Sequence, residues 1–478
     1  MIRAQVRPQV GARATACLVA LVLVGLTGAP SPATATAAPV VAPVIGPVLA
    51  PVATAASVVA ATAGGAAPSA SARAEAFRRY DGRKPLRTIE PGTVLKTREI
   101  TYSLQGLPLP IDVVQILYRT EDTLERPTVN VTSVLQPPLL AKPRRLIAYG
   151  SFYDSLNPQD GPSFAINGGR SFGGAAVHAE TALVATFLLD GMSVVMADTQ
   201  GRTANFAAGP EYGRTTLDSI RAVLSSRRTG VAPRAKVGLL GYSGGAIATN
   251  WAAALAPSYA PDVNRRLVGA AEGGVLVAPA RNLRYIQGSQ VWAGVLAMAL
   301  VGASRGFEIN LERYLNRYGK QVFEEMEKAS IVEVLGSYPG LTWRKIARKR
   351  FPDPEQIPAF VRAVNQLNLG RAPAPTIPMF IGQGARGEVE GTSGTTRGIG
   401  PGDGVMIAGD VRSLARRYCR QGTRVRYQQY DATSHFTTVP LWIGDAYAWL
   451  GRRLAGRKPA ANCRSIAPGT SLAPVPMP

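Results

Sequence analysis

Residues 236–245 read Lys236-Val237-Gly238-Leu239-Leu240-Gly241-Tyr242-Ser243-Gly244-Gly245. The apolar residues before Gly241 predict a buried strand, and the alanine-rich segment 246–255 predicts a helix. A Gly-x-Ser-x-Gly sequence between a strand and a helix is typical of a tight turn that holds a nucleophilic serine, because the glycines permit close approach of the backbone. We therefore expect Ser243 to be a nucleophile. The alternative is an ordinary strand–helix turn with a solvent-facing serine.

The expected base is one of two histidines. A serine hydroxyl needs a base to take its proton, and that base is usually an imidazole. The chain offers His178 and His435. In the fold that uses such a turn the chain order is serine, acid, histidine, so we expect His435, in a loop just after the predicted strand 425–430. A surface histidine is the alternative. His178, in a glycine-rich loop, is expected to be structural, at most lining a pocket mouth.

The acid that orients the histidine should follow the predicted strand 377–381 and precede His435. The acids that satisfy this order are Glu388, Glu390, Asp403, Asp410 and Asp431. We expect Asp403, which is flanked by glycines and followed by an apolar pair and a helix. Glu388 or Glu390 is the alternative, since the glycine-rich stretch 382–402 is long.

An oxyanion hole requires backbone or side-chain donors near the serine. Gly244 is expected to present an unhindered N–H at the start of a helix. The second donor should come from the loop after the predicted strand 145–149. That loop carries Asp154, and we expect Asp154 or a nearby backbone N–H to be the second oxyanion-hole donor.

The rest of the chain alternates strand-like and helix-like segments, which favours a mainly parallel sheet covered by helices. From about 283 to 370 only helical segments follow, and 291–303 is apolar on all sides. We expect this insertion to be a cap over the site. The expected organisation is a signal peptide over 1–37, a disordered Ala/Pro/Val-rich tether over 38–75, a core over 76–282 and 371–478, and a helical cap over 283–370.

The amino terminus resembles an export signal. Arginines precede an apolar run at 16–26 that is too short to span a bilayer, and small residues follow it. Recurrent prolines in the next segment disfavour a second span and favour an extended tether, with a plain unstructured leader as the alternative. The mature protein is expected to be secreted, without a transmembrane anchor.

The formal charge of +22 predicts association with anionic surfaces such as those of a cell envelope. The sequence contains no recognisable nucleic-acid-binding module. It also lacks a metal or nucleotide signature, so we expect no cofactor. Once Cys17 leaves with the signal, Cys419 and Cys463 remain, and two cysteines in an exported protein usually pair.

Several motifs together resemble the secretory lipase family, over about residues 145–463. They are Asp154-Ser155, Gly161-Pro162-Ser163, Leu217-Asp218, Arg221-Ala222, the serine turn, Asp403-Gly404-Val405, Asp410-Val411, Tyr418-Cys419, His435 and Cys463. The resemblance implies an α/β-hydrolase fold with a helical lid, a Ser243–Asp403–His435 triad, an oxyanion hole from Asp154 and Gly244, and one disulfide.

The combined prediction is a secreted carboxylic ester hydrolase that acts through an acyl-serine intermediate. The apolar insertion favours lipid acyl chains, and hence a triacylglycerol lipase. A short-chain esterase and an envelope acyltransferase are the enzymatic alternatives. The non-enzymatic alternative is a basic envelope-binding protein on an inactive hydrolase scaffold.

Overall fold

The computed structural model describes residues 70–138 and 143–478. The predicted signal peptide and residues 38–69 of the predicted tether lie outside the described residues. The first described helix, Ala70–Phe77, overlaps the last residues assigned to the tether.

A nine-stranded sheet forms the centre of the molecule. Its strands are β1 (Val94–Leu104), β2 (Leu107–Glu121), β3 (Pro127–Leu135), β4 (Arg145–Gly150), β5 (Ser193–Ala197), β6 (Lys236–Tyr242), β7 (Leu267–Gly273), β8 (Met379–Gly384) and β9 (Val425–Tyr430). They lie in the order β1-β2-β3-β5-β4-β6-β7-β8-β9. The pairings β1–β2, β2–β3 and β3–β5 are antiparallel, and the remaining pairings, from β5–β4 to β8–β9, are parallel. The α/β-hydrolase fold expected from the sequence is thus confirmed.

Helices connect and cover these strands. The α-helices are α1 (Ala70–Phe77), α2 (Pro162–Ala165), α3 (Ala175–Ala179), α4 (Thr181–Leu189), α5 (Gly209–Ser225), α6 (Gly244–Tyr259), α7 (Pro261–Asn264), α8 (Pro279–Ile286), α9 (Ala293–Gly306), α10 (Arg317–Met326), α11 (Ile331–Val334), α12 (Trp343–Ile346), α13 (Pro358–Gln366), α14 (Ala408–Arg420) and α15 (His435–Leu454). Short 3-10 turns occur at Leu86–Thr88, Pro158–Asp160, Arg227–Thr229, Glu312–Tyr314, Pro354–Gln356 and Gly387–Glu390.

The sheet is covered by apolar packing on both faces. Side chains alternate between the faces of a strand. In β4, Leu146 and Ala148 accordingly belong to one hydrophobic cluster and Ile147 and Tyr149 to another. The first cluster contains α5, α6, α14 and the helices between β7 and β8, whereas the second contains α4 and α15. The turn that carries Ser243 follows β6, at the edge of the sheet and between the helices of the two clusters.

The antiparallel strands β1–β3 were not among the predicted strands. The residues of β1 and of the first half of β2 are mostly half-buried or exposed. Charged and polar side chains are tolerated at such positions, so these segments lack the apolar run that marks a central strand. A two-residue turn joins them at Gln105 and Gly106, with φ of 51° and 93°. Positive φ at both positions is the hairpin geometry that matches strand twist.

The segment between β7 and β8 contains α8–α13, and within this described stretch no residue belongs to a named strand. Strand β7 ends at Gly273, before this segment begins. The apolar helix α9 is mostly buried and packs against α8, α10 and α11, so neighbouring helices cover it. Cys419 on α14 is bonded to Cys463, and this confirms the predicted disulfide.

Candidate active site

Ser243 lies on the turn between β6 and α6 with φ 54° and ψ −119°. This conformation is rare for a residue with a side chain, and such strain is concentrated at functional sites. The flanking glycines are required by packing. A Cβ on Gly245 would collide with the Gly150 carbonyl at the end of β4, and a Cβ on Gly244 would collide with the Asp154 carboxyl.

The structure brings three of the predicted side chains into one hydrogen-bonded chain. The Nε2 atom of His435 lies 2.8 Å from the Ser243 hydroxyl oxygen. Its Nδ1 atom lies 2.8 Å from Oδ2 of Asp403. Both the imidazole and the carboxylate are buried. An acid bonded to Nδ1 leaves Nε2 free to accept a proton from the serine.

Asp403 is fixed by several donors. Its Oδ1 accepts the N–H groups of Val405 and Met406 at 3.0 and 2.7 Å. Its Oδ2 also accepts from the Gln383 side chain, in β8, at 2.9 Å. The loop that follows β8 is therefore long but ordered around this carboxylate, which explains how the glycine-rich stretch 382–402 can precede the acid.

His435 is the first residue of α15, so the expectation that it lies in a loop is wrong. Ser434 caps the helix by accepting the N–H of Thr437, and the His435 N–H donates to the Asp403 carbonyl at 2.6 Å. The Tyr242 hydroxyl donates to the His435 carbonyl at 2.7 Å. These bonds set the position of the imidazole through its backbone.

The alternative acids do not bond to the imidazole. Glu388 is exposed. Glu390 accepts from the Trp292 indole at 2.7 Å and from the Phe436 N–H at 2.9 Å. Trp292 packs edge-on against His435, with ring centroids 5.1 Å apart. Glu390 therefore supports the walls around the imidazole, a role that its position in the sequence did not indicate.

The charges around His435 change its basicity. Burial lowers the pKa of the imidazole, but the Asp403 charge and hydrogen bond, together with the charges of Glu390 and Asp154, raise it above 6.5 overall. A base with a raised pKa binds the serine proton more readily but becomes protonated, and unable to act as a base, at a higher pH.

Asp154 lies beside Gly244, as the oxyanion-hole prediction requires, with φ of 21°. Burial raises the pKa of its carboxyl to about 7, although nearby positive and donor groups, including the Gln200 amide, oppose this. The Gln200 Nε2 donates to Oδ1 at 3.1 Å. A carboxyl with a raised pKa keeps its proton, and hence an O–H to donate, up to a higher pH than an ordinary aspartic acid.

A buried glutamate holds the loop that carries Asp154. Glu180 accepts the Phe152 N–H at 2.8 Å and the Ser151 hydroxyl at 2.6 Å. Burial raises the pKa of Glu180 to about 8. Neither Glu180 nor Gln200 was identified from the sequence, because no local motif marks an acid or amide that supports a distant loop.

Ser243, His435 and Asp154 open into a cavity of about 1770 Å³. Ligand sites usually enclose about 300–1,000 Å³, so this cavity can hold a long molecule. Apolar side chains from the helices between β7 and β8 contribute to its lining, among them Leu283, Val295, Ala299, Leu300, Phe360 and Val364. Apolar side chains from β2, α4 and α15 also contribute, among them Leu109, Ile111, Leu183, Val439 and Ile443. His178 lines it too.

The described residues form neither a metal site nor a membrane-spanning helix. Within 70–138 and 143–478, no group of three or more His, Cys, Asp or Glu side chains is arranged to hold a metal ion. No helix in the described part of the chain has the length and apolar composition needed to cross a bilayer.

Comparisons with known proteins agree with this geometry. The profile of the family described as secretory lipase matches residues 168–462. Lipase 4 of Candida albicans is 30% identical over 386 residues, which cover 78% of this chain and 80% of that protein. A Mycobacterium tuberculosis protein named a probable inactive lipase is 28% identical, over 77% of this chain and 79% of that protein.

Solved structures show the same fold. Candida antarctica lipase A in its closed state superposes with a TM-score of 0.70 at 23% identity, over 82% of this chain and 88% of that chain. The rice cell wall degrading esterase LipA of Xanthomonas oryzae gives a TM-score of 0.59 at 16% identity, over 76% of this chain and all of that chain. The chain therefore belongs to the secretory lipase family, and the carboxylic ester hydrolase class implied by its sequence is confirmed.

Proposed function

We propose that this protein hydrolyses lipid esters, most specifically triacylglycerols, through an acyl-serine intermediate on Ser243. The observation that carries the proposal is the continuous hydrogen-bonded chain from Ser243 through His435 to Asp403, placed in the wall of a large apolar cavity.

In the first step the Ser243 oxygen attacks the ester carbonyl carbon while its proton moves to Nε2 of His435. The Asp403 carboxylate stabilises the resulting imidazolium. The carbonyl oxygen becomes an oxyanion beside the Gly244 N–H and the protonated Asp154 carboxyl. The intermediate then collapses, the C–O bond breaks, and His435 gives its proton to the leaving alcohol. A water molecule, deprotonated by His435, releases the fatty acid and restores Ser243.

The pH dependence should report both titrating groups. His435 must be neutral, so kcat/KM is expected to fall as the pH drops through its raised pKa, above 6.5. Asp154 must be protonated, so kcat/KM is expected to fall again as the pH rises through about 7. Asp154→Asn keeps a neutral donor, and its alkaline decline should therefore move to higher pH. Rate profiles of the two proteins on a soluble ester test this, and superimposable alkaline limbs would exclude a donor role for the Asp154 carboxyl.

The rim of the cavity supports a lipase over a short-chain esterase. Leu107, Leu189 and Val389 line the cavity and are 57%, 74% and 61% exposed. Exposed apolar side chains at the border of a cavity are typical of an interaction surface. A lipid surface would bury them next to the site at which an acyl chain enters.

Leu107→Asp and Leu189→Asp should each lower the ratio of activity on emulsified trioleoylglycerol to activity on p-nitrophenyl acetate by about tenfold, since burying one leucine is worth about 1.5–3 kcal/mol. Leu124→Asp is the matched control, because Leu124 is 38% exposed and is not part of the cavity lining. If all three variants had the same ratio of trioleoylglycerol activity to p-nitrophenyl acetate activity, the exposed side chains at the rim would have no part in lipid binding.

A series of p-nitrophenyl esters from acetate to palmitate tests the substrate class. We expect kcat/KM to increase with chain length, because the cavity offers apolar surface far beyond an acetyl group. A maximum at acetate or butyrate would favour the short-chain esterase. Release of acylated sugar or sterol in place of free acid, when such acceptors are added, would favour the acyltransferase.

We also propose that the protein acts outside the cytoplasm. The Cys419–Cys463 disulfide supports this, because disulfides persist in oxidising compartments. The net charge of +22 supports retention at an anionic envelope surface. Cell fractionation distinguishes envelope from medium, and a salt wash that releases the envelope-bound protein is the expected result for electrostatic retention.

A further inference from the structure

His178 has an unsatisfied polar side chain in the cavity that contains Ser243. It lies in the last turn of α3, is 8% exposed, and belongs to the cavity lining. Neither of its ring nitrogens has a hydrogen-bond partner among the described residues, although the Gly169 carbonyl is close enough to favour its protonated form slightly. Leaving a buried polar group without a hydrogen-bond partner costs free energy, so such a group usually binds a water molecule or a ligand.

The threonine hydroxyls of this wall bond to groups other than the His178 ring. Thr181 donates to the His178 carbonyl at 2.8 Å, and Thr186 donates to the Ala182 carbonyl at 3.1 Å. Alanines form much of the remaining lining nearby, namely Ala176, Ala179, Ala182 and Ala185. The imidazole therefore brings hydrogen-bonding capacity to an otherwise apolar wall.

The wall that contains His178 belongs to the same layer of the molecule as α15. Helix α4 packs against α15, with the Phe187 and Tyr447 rings 5.2 Å apart, and both helices belong to one hydrophobic cluster. Helix α15 begins at His435, which in the proposed mechanism gives its proton to the departing alcohol. Our assignment of the alcohol half of the ester to the part of the cavity lined by α4 and α15 rests on this connection.

The other part of the cavity suits the acyl chain. Its lining comes from α8, α9 and α13, which belong to the opposite cluster, and it includes Leu283, Val295 and Val364. An acyl chain has no polar atom beyond its carbonyl and gains from such a lining. With the acyl chain there, the alcohol half is directed toward His178.

We propose that His178 is a specificity residue that hydrogen-bonds a second oxygen on the alcohol half of the substrate, a hydroxyl or an ester carbonyl. The protein would then select esters of polyols, such as acylglycerols, over esters of simple alcohols. The inference rests on the proposed function and names the alcohol that it prefers. A neutral imidazole has one donor and one acceptor, so it can bind either kind of oxygen. Burial lowers the pKa of His178, which keeps it neutral.

The test compares monooleoylglycerol with methyl oleate, which share an acyl chain and differ in the alcohol. In His178→Leu the ratio of kcat/KM for monooleoylglycerol to that for methyl oleate should fall about tenfold, the value of one hydrogen bond. His178→Gln keeps a donor and an acceptor and should recover part of the ratio. Ser258→Ala, which changes an exposed serine outside the cavity lining, should keep the wild-type ratio.

An unchanged ratio in His178→Leu would overturn the proposal. Failure of the wild type to hydrolyse either ester would instead contradict the proposed function, so the two failures are distinguishable. If the leucine variant does not fold, nitrogen NMR of the Ser243→Ala protein decides, because the chain has only two histidines. Monooleoylglycerol should shift the ring nitrogen signals of His178 and methyl oleate should leave them in place. Identical spectra with the two ligands would overturn the inference.

Discussion

Replacing Ser243 by alanine should lower kcat by about a thousandfold or more, because loss of a nucleophile removes the acyl-enzyme route entirely. The fold should be retained. The hydroxyl bonds to His435 at 2.8 Å, and its removal leaves the backbone turn and the glycine contacts in place. The loss of kcat is measured from initial rates of p-nitrophenyl butyrate hydrolysis, and circular dichroism shows whether the variant is folded.

The matched control is Ser258→Ala, which makes the same chemical change on the same helix. Ser258 is exposed and bonds only to the Leu255 carbonyl among the described contacts. Its activity should equal that of the wild type. Because residues of one catalytic unit are not additive, His435→Ala in the Ser243→Ala background should cause little further loss. Ser243→Ala activity within tenfold of the wild type would place the nucleophile elsewhere.

Asp403→Asn should lower kcat by about ten-thousandfold. The substitution preserves the volume of the side chain but replaces a carboxylate oxygen that bonds to Nδ1 of His435 at 2.8 Å. An amide NH₂ at that position favours a proton on Nε2, which then cannot accept one from Ser243. The charge that stabilises the imidazolium is lost as well.

Glu388→Gln is the control for Asp403→Asn, since Glu388 satisfies the same chain order but is exposed. Its kcat should stay within about twofold of the wild type, as expected of a surface change. Initial rates of p-nitrophenyl butyrate hydrolysis are compared for Glu388→Gln and Asp403→Asn. Activity retained in Asp403→Asn and lost in Glu390→Gln would show that Glu390, which already contacts Trp292 and Phe436, is the acid.

The parallel part of the sheet was predictable because its strands are short apolar runs that end in glycine, aspartate or histidine loops. The segments at β4, β6 and β8 show this pattern. Strand β1 does not. It carries Lys96, Arg98 and Glu99, and its side chains are mostly half-buried, so its pairing with β2 is favoured by tertiary contacts that a local pattern does not contain.

The start of α15 was misplaced for a physical reason. Pro440 lies inside the helix, and because a proline removes a helical hydrogen bond, the sequence around it favours a loop at His435. The helix instead begins at His435, where Ser434 and Thr437 form reciprocal capping bonds. These bonds and the contact with Asp403 outweigh the lost hydrogen bond.

Chain order identified the side chains that meet at the site but not those that support them. Ser243 and His435 are 192 residues apart yet are ordered by a known pattern of serine, acid and histidine. Glu180 and Phe152 have no such pattern, and their contact depends on how the α3–α4 segment packs beside β4. Supporting residues of this kind are identified from the three-dimensional structure and not from the sequence.

Reaction with a fluorophosphonate, followed by intact mass and peptide mapping, shows whether Ser243 is the catalytic nucleophile. We expect a single adduct on Ser243, with loss of ester hydrolysis in proportion to labelling. We also expect much slower labelling of Asp403→Asn. Hydrolysis that continues after full labelling, an adduct on another residue, or a folded protein that does not react at all would contradict the assignment of Ser243 as the nucleophile.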